Sequence, residues 1–158
     1  MKYSQKMKNS GVEWIGEIPD HWNCSNFKYG IRLLTDFESN GSYEDLRQGV
    51  TLDKGKPYAW FVRITDLEKK RFGIVKGNRY CDKTSYNFLK KTKLNPSDLL
   101  VAKVGAIGKI WILPSLNEPA TLGNNMYLIK LNSKLNSKFA YFRAGSGRRL
   151  VEFFFFKF

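Results

Sequence analysis

The apolar positions of this chain fall into short runs broken by Gly, Pro, Asn and Ser. The clearest alternating run, Asp98–Val104 (DLLVAKV), meets the corner Gly105-Ala106-Ile107-Gly108 and resumes over Lys109–Leu113 (KIWIL). Two β-rich runs about a glycine corner predict a hairpin. Pro57–Thr65 (PYAWFVRIT) is aromatic and β-branched throughout and predicts a strand, with Phe72–Val75 as its antiparallel partner across the turn Asp66–Arg71. Pro119–Leu122 and Met126–Leu131 predict two further strands around the turn signal Gly123-Asn124-Asn125. Phe27–Leu34 reads equally as a short helix or a strand. Ser85–Leu94 fits a short amphipathic helix or a turn leading into Pro96, and Ser137–Ala144 and Arg148–Phe158 read as helical. Residues 1–22 are irregular, with Trp14 and Trp22 expected to anchor in the core. Asp36–Lys56 is rich in Gly, Asn, Ser and Asp and predicts a long loop, a length that compact domains rarely carry without a function. No internal repeat is visible. The pattern is that of a mixed α+β chain, mostly sheet, with helix gathered at the C-terminal end.

Charge changes the picture. Lys and Arg number 27 against 14 Asp and Glu in 158 residues, a net charge of +13. Releasing counterions from a nucleic acid favours such a protein whatever the base sequence. The excess is uneven: Arg63–Lys93 holds Arg63, Lys69, Lys70, Arg71, Lys76, Arg79, Lys83, Lys90, Lys91 and Lys93 against Asp66, Glu68 and Asp82. With 42% hydrophobic and 15% aromatic residues, the chain is long enough to bury a core as one domain with at most a small appendage, and is not a disordered basic tail. Cys24 and Cys81 have neither CxxC spacing nor a histidine nearby, so reduced thiols in a cytoplasmic protein are expected. The start MKYSQKMKNSGVEW lacks the apolar centre of a signal peptide, and no stretch approaches the ~20 apolar residues of a spanning helix.

Catalytic chemistry finds little support. The single histidine, His21, lies in the irregular N-terminal segment, and no Ser/His/Asp or Cys/His arrangement is evident. HExxH, cysteine-cluster, EF-hand, P-loop and dinucleotide patterns are missing, so no metal or cofactor is expected. The residue types that read or hold duplex DNA are present instead: Arg for guanine, Asn or Gln for adenine, Lys and Arg for phosphate. Candidates in the predicted loop are Asn40, Tyr43, Arg47, Gln48, Lys54 and Lys56. Lys69, Lys70 and Arg71 follow, then Lys103 and Lys109 beside the glycine corner, then Asn124 and Asn125, which serve equally as turn residues. Trp14, Trp22, Trp60 and Trp111 read as core rather than base-stacking residues.

Four segments together resemble a known family. SGVEWIGEIPDHW (Ser10–Trp22) resembles the opening of a target-recognition domain in the specificity subunit of type I restriction–modification systems. GKPYAWFVRITDLEKKRFGI (Gly55–Ile74) is similar to the family's next block, LNPSDLLVAKVGAIGKIWIL (Leu94–Leu113) to the third, and ATLGNNMYLIKLNSKLNSKFAYF (Ala120–Phe142) to the fourth. The blocks stand in family order. The resemblance implies an α+β fold with a mostly antiparallel, strongly curved sheet, short helices and a C-terminal helical segment. It implies a DNA target-recognition domain over residues 1–145; residues 146–158 depart from the family pattern and read as a short Phe-rich helical tail of at most about three turns at ~1.5 Å per residue, far short of the family's spacer helix. The implied function is non-catalytic reading of one half of a split double-stranded DNA sequence. Methyltransferase subunits would dock on it, and through them a restriction subunit, with S-adenosylmethionine, ATP and Mg held only by those partners. The Phe-rich tail suggests self-association, or a truncated product acting as a decoy interaction partner. An RNA-binding module remains the alternative that net charge and aromatics would equally serve.

Overall fold

The computed structural model of the chain describes residues 6–145 and 154–156. The chain divides into two compact units, Leu33–Lys130 and the flanking stretches Met1–Arg32 with Leu131–Phe158. In the flanking unit, β1 (Met7–Asn9) and β2 (Glu17–Pro19) form an antiparallel pair with Lys8 opposite Ile18, and β3 is Cys24–Asn26. Trp14 is 47% exposed rather than anchored in the core. The Arg143 guanidinium lies 5.1 Å from its ring centre, a cation–π contact that covers the indole without burying it. Trp22 is half-buried.

Phe27–Leu34 turns out to be both of its readings. A 3₁₀ turn at Phe27–Gly30 leads into β4 (Ile31–Asp36). The predicted long loop after it is instead largely ordered into a 3₁₀ turn at Phe37–Asn40 and the helix α1 (Tyr43–Gly49). The helix starts at a capping box. Ser42 Oγ accepts the Asp45 N–H at 3.2 Å, and the Asp45 carboxylate accepts the Ser42 N–H at 2.9 Å.

β5 (Ala59–Val62) is buried at all four positions, as a strand covered on both faces must be. The predicted strand stops there, because α2 (Ile64–Glu68) begins two residues later. The expected partner, Phe72–Val75, is not a strand. Gly73 and Gly77 adopt positive φ (88° and 89°), and Phe72 packs edge-to-face on Trp60 at 6.2 Å. The antiparallel pairing falls to β6 (Arg79–Cys81), with Trp60 opposite Tyr80. Ser85–Leu94 resolves into α3 (Lys83–Phe88), N-capped by Asp82, then a 3₁₀ turn at Lys90–Thr92 and β7 (Lys93–Leu94).

The hairpin forms as read: β8 (Leu99–Ala102) pairs antiparallel with β9 (Ile110–Ile112), Leu100 opposite Trp111. β10 (Ala120–Leu122) and β11 (Met126–Leu131) flank the Gly-Asn-Asn turn, also as read. They join different sheets. One four-stranded sheet has the order β6-β5-β10-β7, with β5 and β10 parallel; the other has the order β4-β11-β8-β9. Side chains of both meet in one core that includes Trp60, Val62, Leu100, Leu122, Met126 and Leu128.

Gly123 makes that change of sheet. Its N–H donates to the Val62 carbonyl at 2.9 Å, and a Cβ there would run into that same oxygen and come within 2.9 Å of Phe61 Cε1. Gly123→Ala is therefore expected to destabilise by about 1–3 kcal/mol through overpacking. Urea unfolding checks it; an unchanged midpoint would mean that the crossover is looser than it looks.

In the flanking unit again, α4 (Ser137–Gly145) forms where a helix was expected. The expected helix at Arg148–Phe158 is not what its described part adopts. β12 (Phe154–Phe156) is a strand, antiparallel to β3 with Phe155 opposite Ser25. A run of aromatic residues with no polar face suits a pleated strand better than an amphipathic helix. The rest of that segment lies outside the described residues.

Candidate nucleic-acid interface

Three of the candidate clusters meet around the glycine corner. The Lys103 N–H donates to the Asn125 carbonyl at 2.9 Å, which fastens the corner to the Gly123–Asn125 turn. Lys103 Nζ donates to Asp36 at 2.9 Å and to Glu38 at 2.7 Å, so β8 is tied to the end of β4 and the turn after it. Lys109 Nζ donates to Glu68 at 2.9 Å, which brings the other side of the corner to α2, immediately before Lys69 and Lys70. Both lysines expected at phosphates are thus paired with acids in the structure, Lys103 with Asp36 and Glu38 and Lys109 with Glu68.

The turn that carries Lys69 and Lys70 is built on a buried acid. Asp66 is fully buried, and its carboxylate accepts the Arg63 N–H at 3.2 Å, the Arg63 guanidinium at 3.1 and 2.8 Å, and Arg71 Nη2 at 3.2 Å. Arg71 is thus held inward. Lys69 and Lys70 are exposed, and among the described residues neither makes an ion pair; the same holds for Lys54, Lys56 and Lys76.

Beside the corner lies a groove of about 400 Å³, floored by Phe37, Leu46, Val50, Leu52 and Phe61 and rimmed by Glu38, Tyr43, Arg47, Arg79 and Asn124. Tyr43 stands 82% exposed at the start of α1. Arg47 and Gln48 both donate to Glu44, at 2.7 and 2.6 Å. Asn40 looks inward: its amide donates to the Phe37 carbonyl and to Thr92 Oγ1, and accepts the Lys91 N–H. Asn124 and Asn125 are exposed, with Asn125 at φ 70°, a turn conformation that asparagine tolerates.

Sequence reasoning passed over Glu38 and Arg79. Arg79 donates to Asp53 at 2.6 Å, and the Asp53 carboxylate also accepts the Tyr80 N–H at 3.1 Å. Their nearest sequence signal was the charge density of the segments that carry them.

Several acids of this region have depressed pKa values, Asp53 and Asp36 among them. Burial alone would push Asp53 up, but Arg79 and the Tyr80 N–H hold it below the usual carboxylate range. At Asp36 burial likewise opposes, and hydrogen bonds from Lys103 and Ser39 outweigh it, with the Lys103 charge adding to them. Asp36, depressed in the folded state, stabilises the protein above its unfolded value of about 3.9, and that contribution is lost as pH falls through the folded value. Lys103→Met should therefore flatten the loss of stability below about pH 4 relative to wild type. Urea midpoints across acidic pH check it, and parallel curves would contradict it. The buried thiol of Cys81 is pushed up to about 11 by burial and by Asp82, well away from thiolate chemistry.

Among the described residues, no group of His, Cys, Asp and Glu is arranged to hold a metal ion, and no helix is long and apolar enough to cross a membrane. No protein-family model matches the chain, and no curated protein does. A solved structure does resemble it: the HsdS subunit from Thermoanaerobacter tengcongensis, at TM-score 0.54 and 12% identity, over 96% of this chain and 36% of that one. The likeness is one of fold. The chain is a mixed α+β protein with mainly antiparallel sheets and few short helices, folded like a part of that HsdS subunit and spanning about a third of its length.

Proposed function

We propose that this chain is a reader of duplex DNA, a half-site recognition domain of the specificity subunit in a type I restriction–modification system. The observation that carries the reading is the convergence around one rigid glycine corner of unpaired lysines, a groove bearing Tyr43, Arg47 and Asn124, and a polar turn. The four sequence blocks in family order and the fold shared with an HsdS subunit point the same way.

In this reading, Lys54, Lys56, Lys69 and Lys70 hold phosphates and fix the register, while Tyr43, Arg47, Gln48 and Asn124 face base edges. Arg47 and Gln48 would exchange Glu44 for a base, which makes Glu44 a competitor that a correct base must outbid. Lys103, Lys109, Arg71 and Asn40 shape the surface rather than touch DNA. The chain itself performs no chemistry. Methyltransferase subunits and, through them, a restriction subunit supply it in the cytoplasm, with their S-adenosylmethionine, ATP and Mg.

Lys69 and Lys70 give the direct test. Replacing both with alanine should weaken binding to all duplex sequences alike and lower the salt dependence of log K by about 1 per lysine. Fluorescence-anisotropy titrations across a range of salt measure both quantities. An unchanged slope would remove these lysines from the interface.

A further inference from the structure

We propose that Ile107 is an apolar wedge that inserts between stacked base pairs of the bound duplex, an inference that rests on the DNA-reading proposal above. The corner Val104–Gly108 exposes its two largest side chains, Ile107 at 79% and Val104 at 52%. Single exposed apolar residues are ordinary on protein surfaces. This one stands at the tip of a finger. Gly105 and Gly108 turn the chain with φ of 76° and 79°, and a Cβ added at either would meet nothing within 4 Å, so the tip is narrow and open on both sides.

The finger is also stiff. Ile107 N–H donates to the Gly105 carbonyl at 2.9 Å, Gly108 N–H to Ala102 at 3.1 Å and Lys109 N–H to Ala106 at 3.0 Å. Lys103 and Lys109 pin its base to Asp36, Glu38 and Glu68.

Val-Gly-Ala-Ile-Gly carries no side-chain donor or acceptor, so no side chain of this finger reads base edges by hydrogen bonding. Lys69 and Lys70 follow Glu68 directly and are unpaired, which makes the neighbourhood one for an anionic partner. Two parts of a duplex take an apolar side chain, the thymine methyl in the major groove and the interior of the base stack, and a narrow projecting tip suits the second. Protein wedges of Ile, Leu, Phe or Met use that stack by unstacking one step.

The test uses the full chain and a duplex selected from a random pool, with 2-aminopurine placed at one position after another. Wild-type protein is expected to raise the fluorescence severalfold at one step. Ile107→Ser should abolish the rise and weaken binding about tenfold, and Ile107→Leu should restore both. Because Ile107 is exposed, both variants should melt with wild type. A wild-type protein that binds selectively with no rise at any position overturns the wedge and leaves the DNA reading intact. A rise that survives Ile107→Ser does the same. Absence of selective duplex binding overturns the reading and the wedge together.

Discussion

Asp66→Ala is expected to lower the stability of the protein by about 3 kcal/mol, near the bottom of the range for breaking a buried ion pair. The carboxylate is fully buried, and it holds two guanidiniums and a backbone N–H. Without it, Arg63 and Arg71 face each other as like charges, with no acid between them. Their side chains are 32% and 33% exposed, so water recovers part of the loss, which sets the figure below that of a fully buried pair. For a chain of this length the melting temperature should fall by about 6–12 °C. Asp66→Asn keeps the shape and one acceptor and should lose less. The turn bearing Lys69 and Lys70 hangs on the same acid, so the proposed DNA reading predicts that duplex affinity falls even where the variant is fully folded. Thermal melting and urea unfolding measure the first effect, and a loss under about 1 kcal/mol would mean that the cluster relaxes around the gap.

Lys130→Met is expected to cost about 3–5 kcal/mol, for the same physical reason in a drier place. Lys130 Nζ and the Asp98 carboxylate are in direct contact, each side chain only 9% exposed. Asp98 also accepts the Asn95 N–H at 2.7 Å, and so fixes the turn that enters β8. Removing the lysine leaves a carboxylate inside the fold with that single backbone donor. Replacing both residues, Lys130→Met with Asp98→Leu, should recover most of the loss, less about 1 kcal/mol for the hydrogen bond to Asn95. A double-mutant cycle in urea isolates the coupling. If the double variant is no more stable than Lys130→Met alone, the pair does not carry the energy assigned to it.

What the sequence disclosed and what it hid follow from the range of each interaction. The β8–β9 hairpin was readable because its alternation and its turn are local. The pairing of β5 with β10 was not, since Trp60 and Ala120 pair across a long stretch of intervening chain. For the same reason Phe72–Val75 was taken for a partner that Arg79–Cys81 supplies. α1 was hidden by its own polarity: a short exposed helix has no apolar stripe, although Ser42-x-x-Asp45 was a readable start. At the candidate site the basic residues were legible, and their partners were not. Nothing local says that Lys103 answers to Asp36 and Glu38, or that Lys109 answers to Glu68. The pairing of Arg71 with the buried Asp66 was equally hidden.

The central claim is that this surface reads duplex sequence, and its most direct test is selection from a randomised duplex DNA pool at two salt concentrations, with the retained molecules sequenced. The expected result is a short, fixed, asymmetric motif whose enrichment persists as salt rises, because base contacts outlast the phosphate contribution that salt removes. Unselective retention that collapses at the higher salt would contradict it, and would leave a basic surface that reads nothing.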